Sequence, residues 1–219
     1  MGETRTGPPR ILRAAERTAA PWSNGGGVTR EVAVHPPGSG WDAFDWRVSL
    51  AEVTRDGPYS PLSGVQRILT VVEGAGTELT VDGRTHLLTG RFRPFTLPGD
   101  AVTEGRLPAG PIVNLNVMLR DGRAAATVEM VRGRRSVPAV PGNGPDVGGG
   151  LVGLVILVVA LEGGTRLVGA AEPVRLERFD AALLTGEGAD GSGPHPAPQW
   201  ELHTDGVAAL ITMAPAGQL

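Results

Sequence analysis

The sequence contains no cysteine and no lysine, and it has only one tyrosine, four phenylalanines and four tryptophans. The absence of cysteine excludes disulfides, thiolate nucleophiles, iron–sulfur clusters and cysteine-ligated zinc. All 20 basic residues are arginine, and 23 acidic residues leave a formal net charge of -3. A chain without a basic excess lacks the electrostatic footprint of a nucleic-acid-binding protein, so we expect no nucleic-acid partner.

Long hydrophobic segments are absent as well. The most apolar stretch, residues 151–161, is 11 residues long, whereas a membrane-spanning helix needs about 20. We expect this stretch to be a buried strand or strand pair, and we expect no membrane partner. Residues 1–13 carry charge and proline without an apolar core, so we expect no secretory signal and a cytoplasmic location.

Glycine and proline are abundant, with 33 and 19 residues, and they disfavour long helices. Short apolar or alternating runs lie between them, which is typical of an all-β fold with tight turns. Asp82-Gly83 lies between two such runs and predicts a hairpin. Residues 10–17 and 179–184 fit a short helix or a strand equally well. The predicted strands are 28–34, 46–53, 67–72, 77–81, 114–119, 127–131, 151–161 and 207–213.

An internal repeat runs through the chain. Residues 69–79 (LTVVEGAGTEL) resemble residues 157–167 (LVVALEGGTRL), and residues 86–92 resemble residues 174–179. A strand, a Glu-Gly turn and a hairpin thus occur twice. This repeat predicts a bicupin, in which two cupin-like antiparallel β-barrels pack together in one chain.

Two glycine-rich segments, 140–150 and 186–198, are interpreted as connecting loops because their composition cannot build a packed core. The first of them suggests a domain boundary. We expect residues 1–140 to form an N-terminal cupin barrel with a ligand pocket, and residues 141–219 to complete the second cupin-like barrel, with a chiefly structural role.

Three of the predicted strands have one apolar and one polar face, because successive side chains of a strand alternate between faces. Solvent-exposed faces usually carry long charged side chains. Threonine, serine and asparagine are short instead, and short polar side chains suit convergent hydrogen bonds. They predict a polar pocket in the mouth of a barrel. The polar faces carry Thr29 and Glu31, Arg47 and Ser49, and Asn114 and Asn116.

No metal or nucleophile motif is present. The histidines, at positions 35, 86, 195 and 203, lack the His-x-His spacing of a cupin metal site, so we expect neither a metal nor another cofactor. No Gly-x-Ser-x-Gly elbow occurs either. Arg47, and as an alternative Arg67, is predicted to pair with a ligand carboxylate, because a guanidinium matches that group in geometry.

Three functions remain open at this point. The first is a metal-independent binding protein, in which Glu31 orients Arg47 or accepts a ligand N–H. The second is a hydrolase, isomerase or lyase that uses Glu31 as general base on a small acid. The third is an interaction protein whose sheet face binds a partner or a second copy, as in a homodimer.

Residues 21–31, Pro-Trp-Ser-Asn-Gly-Gly-Gly-Val-Thr-Arg-Glu, resemble the Pro-Trp-Lys-Asn-Gly-Gly-Gly motif of the HutD/Ves family. The resemblance implies a cytoplasmic bicupin that some bacteria encode with histidine-utilisation enzymes. It implies that the protein binds a small metabolite such as urocanate or formylglutamate and restrains flux, without a defined catalytic activity. Further matches follow in the family's order at 46–51, 57–60, 67, 73–74, 94–95, 99–100 and 114–118.

The resemblance also implies which residues bind the ligand, and this chain departs from the family at several positions. Ser23 replaces a lysine, Tyr59 stands where phenylalanine is common, and Asn114 and Asp121 replace an aspartate and an arginine. The loss of a cation at position 23 bears on which anion is bound. The implied ligand-binding residues are Asn24, Thr29, Glu31, Arg47, Ser49, Arg67 and Asn116.

Overall fold

A computed structural model describes residues 8–140, 153–169, 172–186 and 199–219. These residues form an all-β fold with one short 3-10 helix, Ala14–Glu16. No helix in these ranges is long and apolar enough to cross a membrane. The strands are β1 (Arg10–Leu12), β2 (Ala19–Pro21), β3 (Gly27–His35), β4 (Trp46–Val53), β5 (Gly57–Pro58), β6 (Val65–Glu73), β7 (Thr77–Val81), β8 (Arg84–Leu88), β9 (Phe95–Pro98), β10 (Thr103–Arg106), β11 (Ile112–Arg120), β12 (Ala124–Ser136), β13 (Val155–Glu162), β14 (Thr165–Val168), β15 (Val174–Leu176), β16 (Ala181–Thr185) and β17 (Glu201–Pro215).

All eight predicted strands are present, most of them with longer ends than the sequence pattern indicates. The strand predicted at 151–161 is β13, and residues 151–152 lie outside the described ranges. The predicted hairpin joins β7 to β8, with positive φ angles of 46° at Asp82 and 78° at Gly83. The predicted loops at 140–150 and 186–198 fall almost wholly outside the described residues.

The chain divides into two compact units, which we call the first unit (residues 17–121) and the second unit (residues 1–16 and 122–219). This division differs from the boundary at residue 140 that the sequence suggested. The reason is strand pairing: β12 pairs along its length with β17, and β1 pairs with β16. Both segments therefore belong with the C-terminal half of the chain.

The first unit consists of two antiparallel sheets. The six-stranded sheet has the order β2-β3-β4-β11-β6-β9, and the four-stranded sheet has the order β5-β10-β7-β8. Alternation along the strands places apolar side chains of both sheets in a shared core. The buried members of this core are Val53, Leu69, Val71, Leu79, Leu97 and Ile112.

The second unit contains a seven-stranded sheet in which β1, β16, β13, β17, β14 and β15 follow one another and β12 also pairs with β17. Its core residues include Ile156, Val158, Leu167 and Leu202, all fully buried. The pairing pattern of the first unit recurs here. In the first unit β6 pairs with β9 and β11, and in the second unit β13 pairs with β16 and β17.

Candidate functional site

A cavity of about 400 Å³ lies in the first unit, against the inner face of the six-stranded sheet. Its lining combines aromatic rings with short polar side chains and one arginine. A pocket of this kind is typical of a small-molecule site. The lining residues are Ala20, Pro21, Trp22, Ser23, Asn24, Thr29, Trp41, Ser49, Ala51, Pro58, Tyr59, Ser60, Leu62, Arg67, Asn116 and Met118.

Strand register brings the polar lining residues of the sheet together. Asn116 of β11 lies opposite Ser49 of β4 and Leu69 of β6. One step further along β11, Met118 lies between Arg47 and Arg67. Side chains two residues apart share a face, so Ser49, Arg67 and Asn116 lie on one wall of the cavity.

The glycine-rich segment forms the turn between β2 and β3. The backbone N–H of Trp22 donates to Gly27 O at 2.9 Å, and the Gly26 N–H donates to Asn24 Oδ1 at 2.9 Å. A Cβ on Gly27 would lie 2.3 Å from Glu52 O and 3.2 Å from the Trp22 ring, so only glycine fits there. The turn thereby presents Trp22 and Asn24 to the cavity.

Trp22 has a polar partner as well as a packing role. Its indole Nε1 donates to Thr29 Oγ1 at 2.8 Å. Its ring meets Tyr59 edge-on, with centroids 6.1 Å apart. Trp22 therefore both packs the turn and lines the cavity.

Arg67 is the charged residue of the lining and is only 6% exposed. Its Nη2 donates to Ser60 O, and its Nε has no hydrogen-bond partner. Among the described residues, no carboxylate lies within 4 Å of the guanidinium. Burial lowers the pKa of Arg67 from its usual value. A buried cation without an acidic partner is costly, and an anionic ligand would offset that cost.

Two further polar side chains of the wall have unused hydrogen-bonding capacity. Ser49 is 1% exposed, and its Oγ has no partner. Asn116 is 5% exposed, and its amide makes no hydrogen bond to another described residue. Buried polar groups are normally satisfied, so unpaired donors and acceptors beside a cavity point to a polar occupant.

Tyr59 forms another part of the cavity wall. The Asn114 Nδ2 donates to its phenolic oxygen at 3.1 Å. Burial raises the pKa of Tyr59 to about 12, although the hydrogen bond from Asn114 and the positive charge of Arg67 act in the opposite direction. The phenol thus keeps its proton to a higher pH than an ordinary tyrosine does.

Glu31 and Arg47, two of the seven predicted ligand-binding residues, do not line the cavity. Arg47 donates to Glu31 from Nη2 and, at 2.9 Å, from Nε. Its guanidinium also stacks on Trp41, 4.3 Å from the ring centroid. The predicted contact between Glu31 and Arg47 is present, but the pair lies beside the cavity lining rather than in it. The other five predicted residues, Asn24, Thr29, Ser49, Arg67 and Asn116, do line it.

The described histidines lie away from the cavity lining. His35 stacks on Trp46 with centroids 5.9 Å apart, His86 packs on Phe95, and His203 contacts Glu201. Within the described ranges, no group of three or more histidine, aspartate or glutamate residues is arranged to hold a metal ion. His195 lies outside those ranges.

The family model for HutD matches residues 14–195, most of the chain. The chain belongs to the HutD family. The resemblance stated from the 21–31 motif is thereby confirmed.

Relatives of this HutD-family chain agree with that assignment. An uncharacterised 21.2 kDa protein from the hutC 3' region of Pseudomonas putida is 35% identical over 57% of this chain and 65% of its own length. Protein Ves of Citrobacter koseri is 39% identical over 50% of this chain and 56% of its own length. The matches thus span between half and two-thirds of these curated relatives.

Solved structures extend the comparison to nearly the whole chain. HutD from Pseudomonas fluorescens SBW25, solved in a formate condition, is 27% identical, with a TM-score of 0.75 over 96% of this chain and 100% of that one. A cupin 2 conserved barrel domain protein from Leptotrichia buccalis has a TM-score of 0.53 at 9% identity, which shows likeness of fold alone. The HutD-family fold here is thus all-β and cupin-like.

Several lining residues escaped the sequence reasoning. Trp41, Ser60 and Leu62 lie in loops, where no periodicity reports which way a side chain faces. Tyr59 was noted only as a departure from the family, yet it directly follows β5 and its ring forms part of the wall. Its being the only tyrosine of the chain was the one available signal.

Proposed function

We propose that this HutD-family protein binds a small carboxylated metabolite in the first-unit cavity. The observation that carries the proposal is Arg67, a buried guanidinium in the cavity wall with no acidic partner among the described residues. A carboxylate offers two oxygens in the geometry of the guanidinium fork. Ser49, Asn116 and Asn24 then hydrogen-bond the polar edge of the ligand.

The metabolite we propose is of the urocanate or formylglutamate type, and the protein senses or buffers it during histidine utilisation in the cytoplasm. Two comparisons support this assignment. A relative is encoded in the hutC 3' region of P. putida, and a similar solved structure is HutD of P. fluorescens. Formate is the smallest carboxylate and is therefore the minimal probe of the Arg67 site.

We also propose the bicupin arrangement, with the second unit chiefly structural. Support comes from the strand pairing, which recurs between the two units, and from the sequence repeat on which that pairing falls. Binding is proposed to be independent of metal, since Arg67 supplies the positive charge that a metal ion would otherwise bring to an acid.

No observation favours the enzyme alternative, because its general base, Glu31, is engaged by Arg47 and does not line the cavity. A homodimer remains a prediction that light scattering would test. The proposed partner of the site is the small carboxylated metabolite, with neither nucleic acid nor membrane involved.

The test compares two substitutions of arginines that flank Met118 from opposite sides, Arg67→Met and Arg47→Met. Isothermal titration with formate, glutarate, N-formylglutamate and urocanate is run in the presence of EDTA. We expect at least one acid to bind the wild type, Arg67→Met to weaken that binding by about 100-fold or more, and Arg47→Met to change it by less than about threefold. Equal affinity in Arg67→Met and the wild type would overturn the proposal.

A further inference from the structure

Tyr59 has a hydrogen-bond donor for which the described residues provide no acceptor. Its phenolic oxygen accepts from the Asn114 Nδ2 at 3.1 Å, and Asn114 is fully buried. Among the described residues, no acceptor takes the phenolic proton, because the contact with Asn114 uses an oxygen lone pair and leaves the O–H free. The ring lines the cavity, so an acceptor for this proton can come from the cavity contents.

The ring is held in one place by its surroundings. The Tyr59 backbone N–H donates to Thr103 O at 2.9 Å, and Trp22 meets the ring edge-on. Gly105 of the neighbouring strand makes room for it, because a Cβ there would lie 2.8 Å from Tyr59 Cε2. A side chain fixed in this way loses little conformational entropy when it binds a ligand, so its hydrogen bond contributes more of its strength to affinity.

Arg67 and Tyr59 together set the polarity of the pocket. Both side chains line the same cavity, so one small ligand can contact both groups. The phenol is a neutral donor at physiological pH, as any tyrosine is, and burial raises its pKa further, to about 12. Arg67 is suited to the carboxylate, and Tyr59 is suited to an uncharged acceptor oxygen elsewhere in the same molecule.

We infer that Tyr59 is a specificity-determining residue, whose O–H selects acids that carry a second acceptor oxygen, such as a carbonyl, beyond the carboxylate held by Arg67. This inference rests on the proposed function and narrows its ligand class to oxo- or acyl-substituted carboxylic acids. A site with a buried polar donor discriminates against analogues that lack the matching group, because the donor is then left unpaired.

The experiment uses acids that differ only in the carbonyl. Affinities of the full chain for hexanoate, 2-oxohexanoate, 4-oxohexanoate and 5-oxohexanoate are measured by isothermal titration. We expect the wild type to bind at least one oxo acid about five- to tenfold more tightly than hexanoate. Tyr59→Phe should lose that preference and keep its hexanoate affinity within about twofold, which shows that the cavity is still folded.

Asn114→Val supplies the matched control. Both variants remove the hydrogen bond between Asn114 and Tyr59, but only Tyr59→Phe removes the donor, so Asn114→Val should keep the preference for the oxo acid. The inference is overturned if Tyr59→Phe retains the preference, if both variants lose it equally, or if the wild type binds hexanoate and every oxo acid alike. A wild type that binds none of these four acids but does bind an acid of the first test overturns this inference alone, whereas a wild type that binds no acid in either test overturns the proposed function as well.

Discussion

Tyr59 is the only tyrosine of the chain, so its titration can be measured without a contribution from another phenol. The chain has no lysine and no cysteine, so no side chain of those types titrates together with Tyr59 between pH 9 and 12. Burial raises the pKa of Tyr59 to about 12, against about 10 in an unfolded chain. We expect ultraviolet absorbance of the phenolate to show a midpoint near 12 in the folded protein and near 10 in urea.

The same shift predicts how stability changes with pH. Between pH 10 and 12 the unfolded phenol has lost its proton while the folded phenol retains it, so the free energy of unfolding falls as pH rises, by up to about 1.4 kcal/mol per pH unit. The contribution is complete below pH 10. Tyr59→Phe should lack this decline, and an identical decline in the variant would contradict the assignment to Tyr59.

At the residue scale, sequence reasoning located the polar wall because strand alternation decides which side chains share a face. Thr29, Ser49 and Asn116 line the cavity for that reason. Arg47 shares a face with Ser49 by the same rule, but its guanidinium is held by Glu31 and Trp41. Strand alternation predicts which face a side chain lies on. Which residues its charged group then contacts depends on loops and tertiary packing, which alternation does not report.

At the element scale, the turn between β2 and β3 depends on one glycine. A Cβ on Gly27 would lie 2.3 Å from Glu52 O, a backbone atom of the neighbouring strand β4 that cannot easily move. We expect Gly27→Ala to lower the free energy of unfolding by about 1–3 kcal/mol, because the clash must be relieved by shifting β3 against β4. Urea denaturation measures the loss.

Gly40→Ala is the control for that substitution. Gly40 is exposed, and a Cβ there meets nothing within 4 Å. We expect its stability to stay within about 0.5 kcal/mol of the wild type. Comparable losses in the two variants would show that the close approach at Gly27 is not what stabilises the turn.

The strands themselves were the most predictable elements. Runs with clear alternation or continuous apolar character, such as 46–53 and 77–81, match β4 and β7 residue for residue. Short strands such as β5 and β10 were not predicted, because two to four residues are too few to show a period. β17 begins at Glu201, six residues before the apolar run at 207–213 from which the strand was predicted.

At the scale of the whole molecule, the sequence repeat coincides with repeated local structure. Phe92 and Phe179 occupy equivalent places in the repeat, and both have a positive φ, of 64° and 66°, which is uncommon for phenylalanine. Their backbone N–H groups donate to Val71 O and Ala160 O respectively, at 2.9 and 2.7 Å. The sequence repeat therefore corresponds to a repeated local backbone conformation, once in each unit. It could not indicate that β12 belongs with the second unit.

The second unit also holds the N-terminal segment through one buried carboxylate. Asp180 is 3% exposed and accepts hydrogen bonds from the Ala14 N–H at 2.7 Å, the Glu177 N–H at 3.1 Å and Arg13 Nη1 at 2.6 Å. Burial alone would raise the pKa of Asp180, but these donors outweigh it and the pKa is lowered. The charged carboxylate thus fastens β1 and the 3-10 helix to their unit.

We expect Asp180→Asn to lower the free energy of unfolding by about 1–3 kcal/mol at pH 7, because an amide cannot accept from all three donors. Hydrogen exchange of the Ile11 and Leu12 amides should accelerate. Because the pKa of Asp180 is lowered, its contribution to stability is present above the unfolded value of about 4 and is lost as pH falls through the folded value. The variant and the wild type should therefore converge in stability at low pH.

Asp82→Asn is the control for that substitution. It lies in an exposed turn that asparagine also favours, so its stability should remain within about 0.5 kcal/mol of the wild type. A stability gap between Asp180→Asn and the wild type that is as large at pH 2 as at pH 7 would show that shape, and not the charge of Asp180, holds the N-terminal segment in place.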